Sequence, residues 1–370
     1  MRTALWKVRD AALPYARHLG SRLTDGDPNT ILIMQPDALG DVLLAQPAVR
    51  ALRAAYPDKR LIAVVGPWSA EIARLAWPVD EIVTVDYPGF GGTRGSLVDP
   101  YRQLFTDAER LRELRAATAV QLRYDGWWAT WLAWLSVSGE VVAGEASGAA
   151  NFGMQPRISG TGHAAERAFA IAAGLLSRAE WITPETQPLE LAPDSGAVEA
   201  ARALLAERGV GERYIVIHPG TAWPVKLWPG HRWRAVISAF PDWPVLVTGA
   251  PGEGELVREL CAGLPNAVAL SGETTLPQLI EVLRGATLVA GPDTGPLHLA
   301  VATGTPTVTL YGPTSIAQFG PWGPAVRHRA LSAGWRCPRC GDVAGRPQGC
   351  GCMLAVTTAQ VVGAVCEVLQ

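Results

Sequence analysis

The residues best placed to do chemistry lie in VAGPDTGPLHLAVATGTPTVTL, Val289 to Leu310. An apolar strand ending near Ala290 runs through the turn GPDTGP into a helix that begins near Leu297. A small-residue turn opening a helix leaves backbone N–H groups without intrahelical partners, at the positive end of the helix dipole. That combination binds anions, a phosphate or diphosphate above all. Asp293 and Thr294 are good helix caps, Gly295 lets a ligand approach the backbone, and His298 adds an imidazole one turn in. An ordinary capped helix would explain a lone DTG equally well. Three further segments shift the balance.

In HPGTAWPVK, Lys226 follows an apolar strand by a few residues and is flanked by Trp223, Pro224 and Trp228. A lysine there neutralises a diphosphate as a point charge; alternatively its stem covers apolar surface. In TGAPGE, Glu253 can accept hydrogen bonds from ribose hydroxyls or a base amino group. Glu255 could do the same, or both could favour a helix N-terminus. In LGD, Asp41 follows Gly40 at a strand-to-helix turn, where it is either a helix cap or a general base for an acceptor hydroxyl. Cys337, Cys340, Cys350 and Cys352 form a separate group, CPRC then CGC. Four thiols so close can make a tetrahedral zinc or iron site, or simply a reduced structural loop. Cys261 and Cys366 read as buried apolar residues of helices.

These residues need a scaffold, and the 370-residue chain has enough for two cores. Apolar residues make up 48% and charged ones 18%, a globular composition. A net charge of −2 provides no global basic field for nucleic acid. No run is apolar for long enough to span a membrane. The first residues, MRTALWKVRDAALPYARHLGSRL, are too charged for a signal peptide and read as an amphipathic basic helical segment. It is either a solvated peripheral helix or a weak contact to an anionic membrane surface. Without an export signal, a cytoplasmic location and reduced cysteines are expected.

From Thr30, strand-like and helix-like runs alternate: ILIMQ, the helical DVLLAQPAVRALRAAY, RLIAVVG, SAEIARLA, EIVTVD. Such alternation predicts a parallel sheet wrapped on both faces. The stretch YPGFGGTRGSLVDPY reads as a surface loop, followed by a helix over 107–116, the strand TAVQLR and the helix GWWATWLAWL. That helix is apolar all round and belongs in a core. The Pro-rich WITPETQPLELAPDSG reads as a linker, after which the same scheme repeats. In each sheet, ligands are expected at the carboxyl ends of the strands.

Taken together, LGDVLLAQPAVRALRAAYP, HPGTAWPVKLWP, TGAPGE and GPDTGPLHLAVATGTPTVTLYGPTS resemble glycosyltransferase family 9, the heptosyltransferase-like enzymes of GT-B fold. The resemblance implies two Rossmann-like α/β domains facing a central cleft. The expected division is an N-terminal amphipathic segment (1–29), an acceptor domain (30–185), a donor domain with a Cys-rich loop at 337–352 (186–355) and a C-terminal helix (356–370). It implies an inverting transfer of a heptose-like sugar from a nucleotide diphosphate-sugar, ADP-heptose by analogy, to a glycan or glycolipid hydroxyl of the cell envelope, as in lipopolysaccharide synthesis. Asp41 matches the proposed base. Gly40, Thr221, Lys226, Glu253, Asp293, Thr294, Gly295 and His298 match the nucleotide-sugar site. No cofactor is implied for catalysis, with zinc or iron at the Cys-rich loop a structural matter. Two positions depart from the family pattern: Gln35 replaces a basic residue and Ala222 a hydroxyl residue. The alternatives are a nucleotide-sugar 2-epimerase of the same fold, or a non-catalytic nucleotide-sugar-binding protein.

Overall fold

The computed structural model describes residues 25–88, 99–144, 162–176, 181–335, 340 and 349–370. The basic N-terminal segment, most of the glycine-rich loop and Cys337 lie outside the described residues. The chain divides into two compact units, Met1–Ile182 and Thr183–Gln370.

The first unit runs β1 (Asp27–Gln35), α1 (Leu39–Leu44), α2 (Gln46–Ala55), β2 (Arg60–Val65), α3 (Ala70–Ala76), β3 (Glu81–Thr84), α4 (Asp99–Arg112), β4 (Ala116–Gln121), α5 (Trp127–Ser136), β5 (Val141–Ala143) and α6 (Ala164–Ala172). Its strands are parallel in the order β3-β2-β1-β4-β5, with Ile33 of β1 opposite Ala63 on one side and Val120 on the other. Ile31 to Met34 are at most 1% exposed, which is why this central strand reads as an unbroken apolar run. Successive strands are added outward from β1 through β2 to β3, then on its other side through β4 to β5. The switch point therefore lies between the ends of β1 and β4.

Two local expectations needed correction. The helix DVLLAQPAVRALRAAY is two helices, because Pro47 has no N–H for the Leu43 carbonyl and its ring crowds that turn. The helix placed at 107–116 starts at Asp99, where Leu104, Ala108 and Leu111 form a buried stripe, and it ends before Arg115, whose φ is 55°. The Trp-rich α5 is a core helix: Trp128 and Trp131 pack edge-on against Tyr87 and Tyr101, at ring-centroid distances of 5.5 and 6.0 Å. No helix among the described residues is long and apolar enough to cross a membrane.

The second unit runs α7 (Ser195–Glu207), β6 (Ile215–Ile217), α8 (Gly230–Ser238), β7 (Val245–Gly249), α9 (Gly254–Cys261), β8 (Ala267–Ser271), α10 (Leu276–Gly285), β9 (Leu288–Pro292), α11 (Gly295–Ala302), β10 (Thr307–Tyr311), α12 (Ile316–Phe319), β11 (His328–Ser332), α13 (Gly351–Leu354) and α14 (Thr358–Leu369). The strand order is β11-β10-β9-β6-β7-β8, all parallel, so the switch point falls between β6 and β9. The edge strand β11, HRALS, has no apolar run to announce it and is set by pairing with β10. The two helical cysteines are less buried than expected: Cys261 is half-buried and Cys366 exposed.

Candidate functional site

At the switch point of the second unit, the loop after β6 and the turn after β9 meet through one ion pair. Lys226 Nζ lies 2.9 Å from Asp293 Oδ2 and 3.0 Å from the Asp293 carbonyl oxygen. His298, one turn into α11, places Nε2 3.3 Å from Asp293 Oδ1. Asp293 is 4% exposed. Burial pushes its carboxyl pKa up, but the His298 hydrogen bond and the Lys226 charge outweigh it and hold the group well below the usual carboxylate range. Three of the expected residues therefore form one hydrogen-bonded unit around the buried Asp293 carboxylate.

An ammonium carries three N–H donors, and Asp293 engages two of those of Lys226. One remains for another acceptor. Thr294 is the N-cap of α11, its side chain makes no capping bond, and its Oγ1 is buried without a partner among the described residues. Gly295 opens the helix and Pro296 follows in the first turn, where its missing N–H costs nothing. Close approach of β6 and β9 needs Gly291: a Cβ there would stand 2.4 Å from the His218 carbonyl oxygen. His218 follows β6, shares a hydrogen bond with Thr248 Oγ1 at 3.0 Å, and has its pKa pushed down to about 4 by burial.

The remaining donor-side residues are held by local geometry. Thr221 Oγ1 accepts from Trp223 N at 3.3 Å, which curls the Lys226 loop. Glu253 Oε2 accepts from Ala250 N at 2.8 Å, and its carboxylate lies over Gly220, where a Cβ would come within 2.1 Å. Glu253 thus joins the TGAPGE turn to the HPG turn, whereas Glu255 is exposed in the first turn of α9.

In the first unit, Asp41 is the third residue of α1 and half-buried, after the buried Gly40. It is not the cap: Ala38 holds that position, with no side-chain capping bond. The cap reading is corrected accordingly. The acids that organise this end of the sheet were not singled out from the sequence. Asp37, 6% exposed, pairs with Arg123, which follows β4, so this ion pair spans the β1/β4 switch point. Gln35 Nε2 donates to Asp37 Oδ2 at 2.9 Å, Arg123 Nε donates to Asp125 at 2.7 Å, and the Asp37 carbonyl accepts from Ser69 Oγ at 2.7 Å. Burial raises the Asp37 pKa to about 7; the Arg123 charge opposes it, and Asp41 and Asp125 add to it. Gln121, fully buried at the end of β4, has no partner for either amide atom among the described residues. The signal for Asp37 and Arg123 was position: each stands just past the end of an apolar strand that neighbours the other.

Cys340, Cys350 and Cys352 are buried with their sulfurs within 4.8 Å of one another, a group that could hold a metal ion. The structure joins Cys340 to Cys350 as a disulfide, against the expectation of reduced cysteines, with Cα atoms 7.0 Å apart. That spacing is wider than the roughly 4.4–6.8 Å of ordinary disulfides. The third sulfur, Cys352 Sγ, is 3.1 Å from Cys350 Sγ.

The sequence profile of glycosyltransferase family 9 (heptosyltransferase) matches residues 145–340, more than half of the chain. The chain belongs to glycosyltransferase family 9. It is similar to lipopolysaccharide heptosyltransferase 1 of Pseudomonas aeruginosa, 36% identical over 142 residues that cover 38% of this chain and 39% of that protein. The aligned stretches span about two-fifths of the length of the first curated relatives, 37% and 39%. Among solved structures, a family 9 glycosyl transferase from Veillonella parvula superposes with TM-score 0.75 at 20% identity, covering 94% of this chain and 98% of the other. The E. coli heptosyltransferase WaaC with ADP superposes with TM-score 0.66 at 22% identity, covering 92% and 99%. The two parallel-sheet units are those of the GT-B α/β fold.

Proposed function

We propose that the chain is an inverting glycosyltransferase that moves a heptose-like sugar from a nucleotide diphosphate-sugar, ADP-heptose in the first instance, to a hydroxyl of a cell-envelope glycan or glycolipid. The observation that carries this reading is the Lys226–Asp293–His298 unit at the opening of α11. A diphosphate seated there meets the third Lys226 proton, the Thr294 hydroxyl, which has no partner among the described residues, and the Gly295 N–H at the opening of the helix. Those donors stabilise the departing nucleoside diphosphate, so the leaving group needs no added metal. Gly295 admits the phosphate, Thr221 shapes the lysine loop, and Glu253 offers its carboxylate to the nucleoside.

In the first unit, Asp41 would accept the proton of the acceptor hydroxyl as the new glycosidic bond forms. A single displacement of that kind inverts the anomeric centre. The ion pair of Asp37 and Arg123 pins the turn that presents Asp41. With Gln35 where the family usually has a basic residue, acceptor recognition rests on hydrogen bonding rather than on a free cation at that position. The Cys-rich loop, Cys337, Cys340, Cys350 and Cys352, is proposed as a structural zinc or iron site that takes no chemical step in the transfer. The enzyme would act in the cytoplasm, with its N-terminal segment at the inner membrane face.

The test is to supply purified protein with ADP-heptose and a lipopolysaccharide-core acceptor and to follow ADP release and product linkage by NMR. Stoichiometric ADP and an inverted linkage are expected. Conversion of the sugar in the absence of acceptor would indicate the epimerase instead, and binding without turnover a non-catalytic role.

A further inference from the structure

The three converging sulfurs pack directly behind the loop that carries Lys226. Cys340, Cys350 and Cys352, each at most 8% exposed, form one cluster with Val225, itself 2% exposed, and with Trp223. Val225 and Lys226 are consecutive residues of a single 3-10 turn, Pro224–Lys226, closed by a 2.8 Å hydrogen bond from Lys226 N to the Trp223 carbonyl. One of these neighbours rests on the sulfurs and the other reaches Asp293.

Hydrogen bonds fasten the far end of the same loop to the segment around α13. Trp228 Nε1 donates to the Val356 carbonyl at 3.0 Å, and Arg232 Nη1 donates to the Leu354 and Val356 carbonyls at 2.6 and 2.8 Å. Met353, beside Cys352, fills the space against Gly312, where a Cβ would stand 2.4 Å from its sulfur. The helix bearing Cys352 is therefore wedged between the lysine loop and the turn after β10. Displacing α13 displaces the wall behind Lys226.

The three sulfurs lie within 4.8 Å of one another, with Cys340 and Cys350 joined as a disulfide in this oxidised form. Cys352 Sγ is 3.1 Å from Cys350 Sγ and 3.7 Å from Cys340 Sγ. Thiolates held about 2.3 Å from a tetrahedral ion stand roughly 3.7 Å apart. We propose that this cluster is a metal-dependent clamp on the donor lysine: a thiolate-bound divalent ion, zinc or ferrous iron, fixes α13 behind Val225 and so holds Lys226 in register with Asp293. The proposal rests on the donor reading of Lys226. Binding takes the reduced form of the cluster, and each thiol that ligates releases its proton to solvent.

The experiment uses the full chain kept under a phosphine reductant without oxygen. ADP affinity is measured by calorimetry on protein loaded with Zn²⁺, loaded with Fe²⁺, and stripped by a chelator. One ion per chain is expected, with ADP binding about tenfold weaker after stripping and restored by either metal, the scale of losing one charge-assisted contact. Cys352→Ser should bind ADP weakly with or without added metal. Val225→Ala keeps every thiol; it should take up the ion yet bind ADP more weakly than the loaded wild type, which keeps the test decisive if stripping unfolds the chain. Equal ADP affinity in loaded and stripped wild type, or no stoichiometric uptake of either ion, overturns the clamp. Lys226→Met separates the two levels. If it weakens ADP binding while metal state does nothing, the clamp fails and the donor reading stands. If it leaves ADP binding unchanged, the donor reading fails and the clamp falls with it.

Discussion

Each unit bridges its own switch point with a buried carboxylate and a cation, but the two pairs are built in opposite senses. In the second unit the cation, Lys226, follows the first strand of the sheet and the acid, Asp293, follows the strand across the switch. In the first unit the acid, Asp37, follows the first strand and the cation, Arg123, follows the strand across. Surroundings then separate the two acids. Asp293 has a second partner in His298 and keeps its charge, whereas Asp37 has Asp41 and Asp125 as neighbours and holds its proton more strongly than an ordinary carboxyl. A charged pair facing the opening of a helix suits an anionic leaving group. A proton-retaining carboxyl beside a half-buried acid suits a site that handles a hydroxyl proton.

The largest expected effect follows from that division of labour. Asp41→Asn should cut transfer by about two orders of magnitude or more, the usual scale for a lost general base, with ADP affinity unchanged. Asp37→Asn should cost less, about tenfold, because it loosens the turn without removing the base. Steady-state rates and calorimetry on the two variants check this. If Asp37→Asn is the more damaging, Asp37 rather than Asp41 is the reacting acid.

Next comes the donor pair. Lys226→Met keeps the apolar stem, removes the charge and should weaken ADP binding about tenfold. It should also lower the stability of the second unit, because Asp293 stays buried with one cation fewer. Adding Asp293→Asn should restore much of that stability but none of the affinity. A double variant that recovers ADP binding would show that Lys226 serves Asp293 and not the nucleotide.

The two units should also respond to acid in opposite directions. His218 and His328 are both pushed down to about 4 by burial, so the folded second unit binds fewer protons than the unfolded chain between about pH 6.5 and 4. Its stability is full above that window and falls as pH drops through it. Asp37, raised to about 7, makes the folded first unit bind more protons between about pH 4 and 7, so the first unit loses stability as pH rises. Hydrogen exchange corrected for intrinsic rates should therefore show protection at pH 5, relative to pH 7, rising in β1 and β4 and falling in β6 and β9. Parallel changes in both would mean that these groups do not govern stability.

The sequence announced the donor side more fully than the acceptor side, for a physical reason. Asp293, Thr294, Gly295 and His298 are contiguous, and a strand–turn–helix boundary rich in Gly and Pro is a local signal. Lys226 was legible because its loop is flanked by Trp and Pro. Asp37 and Arg123, in contrast, are 86 residues apart, and only the order β1-β4 brings them together. Reading that order from the alternation of strands and helices was the missing step. The packing of Val225 on the cysteines was equally invisible, since it depends on where α13 comes to rest. The break at Pro47 was legible in principle, because a proline within a helical pattern ends or kinks it.

The smallest effect tests whether Glu253 reads the nucleoside or merely shapes its turn. Its carboxylate accepts from Ala250 N at 2.8 Å and covers Gly220, so part of its value is structural. Glu253→Gln keeps an acceptor oxygen of the same reach and so keeps that capping bond. Removal of the charge should then weaken ADP binding only about threefold, near the value of one modest hydrogen bond, with the melting temperature unchanged. Glu253→Ala removes both functions and should lower affinity and melting temperature together. The contrast between the two variants carries the information. Should Gln and Ala lose affinity equally while only Ala loses stability, the carboxylate charge itself contacts the nucleoside. If Gln binds ADP as the wild type does, Glu253 belongs to the architecture that sets Gly220, and recognition of the base must come from elsewhere in the second unit.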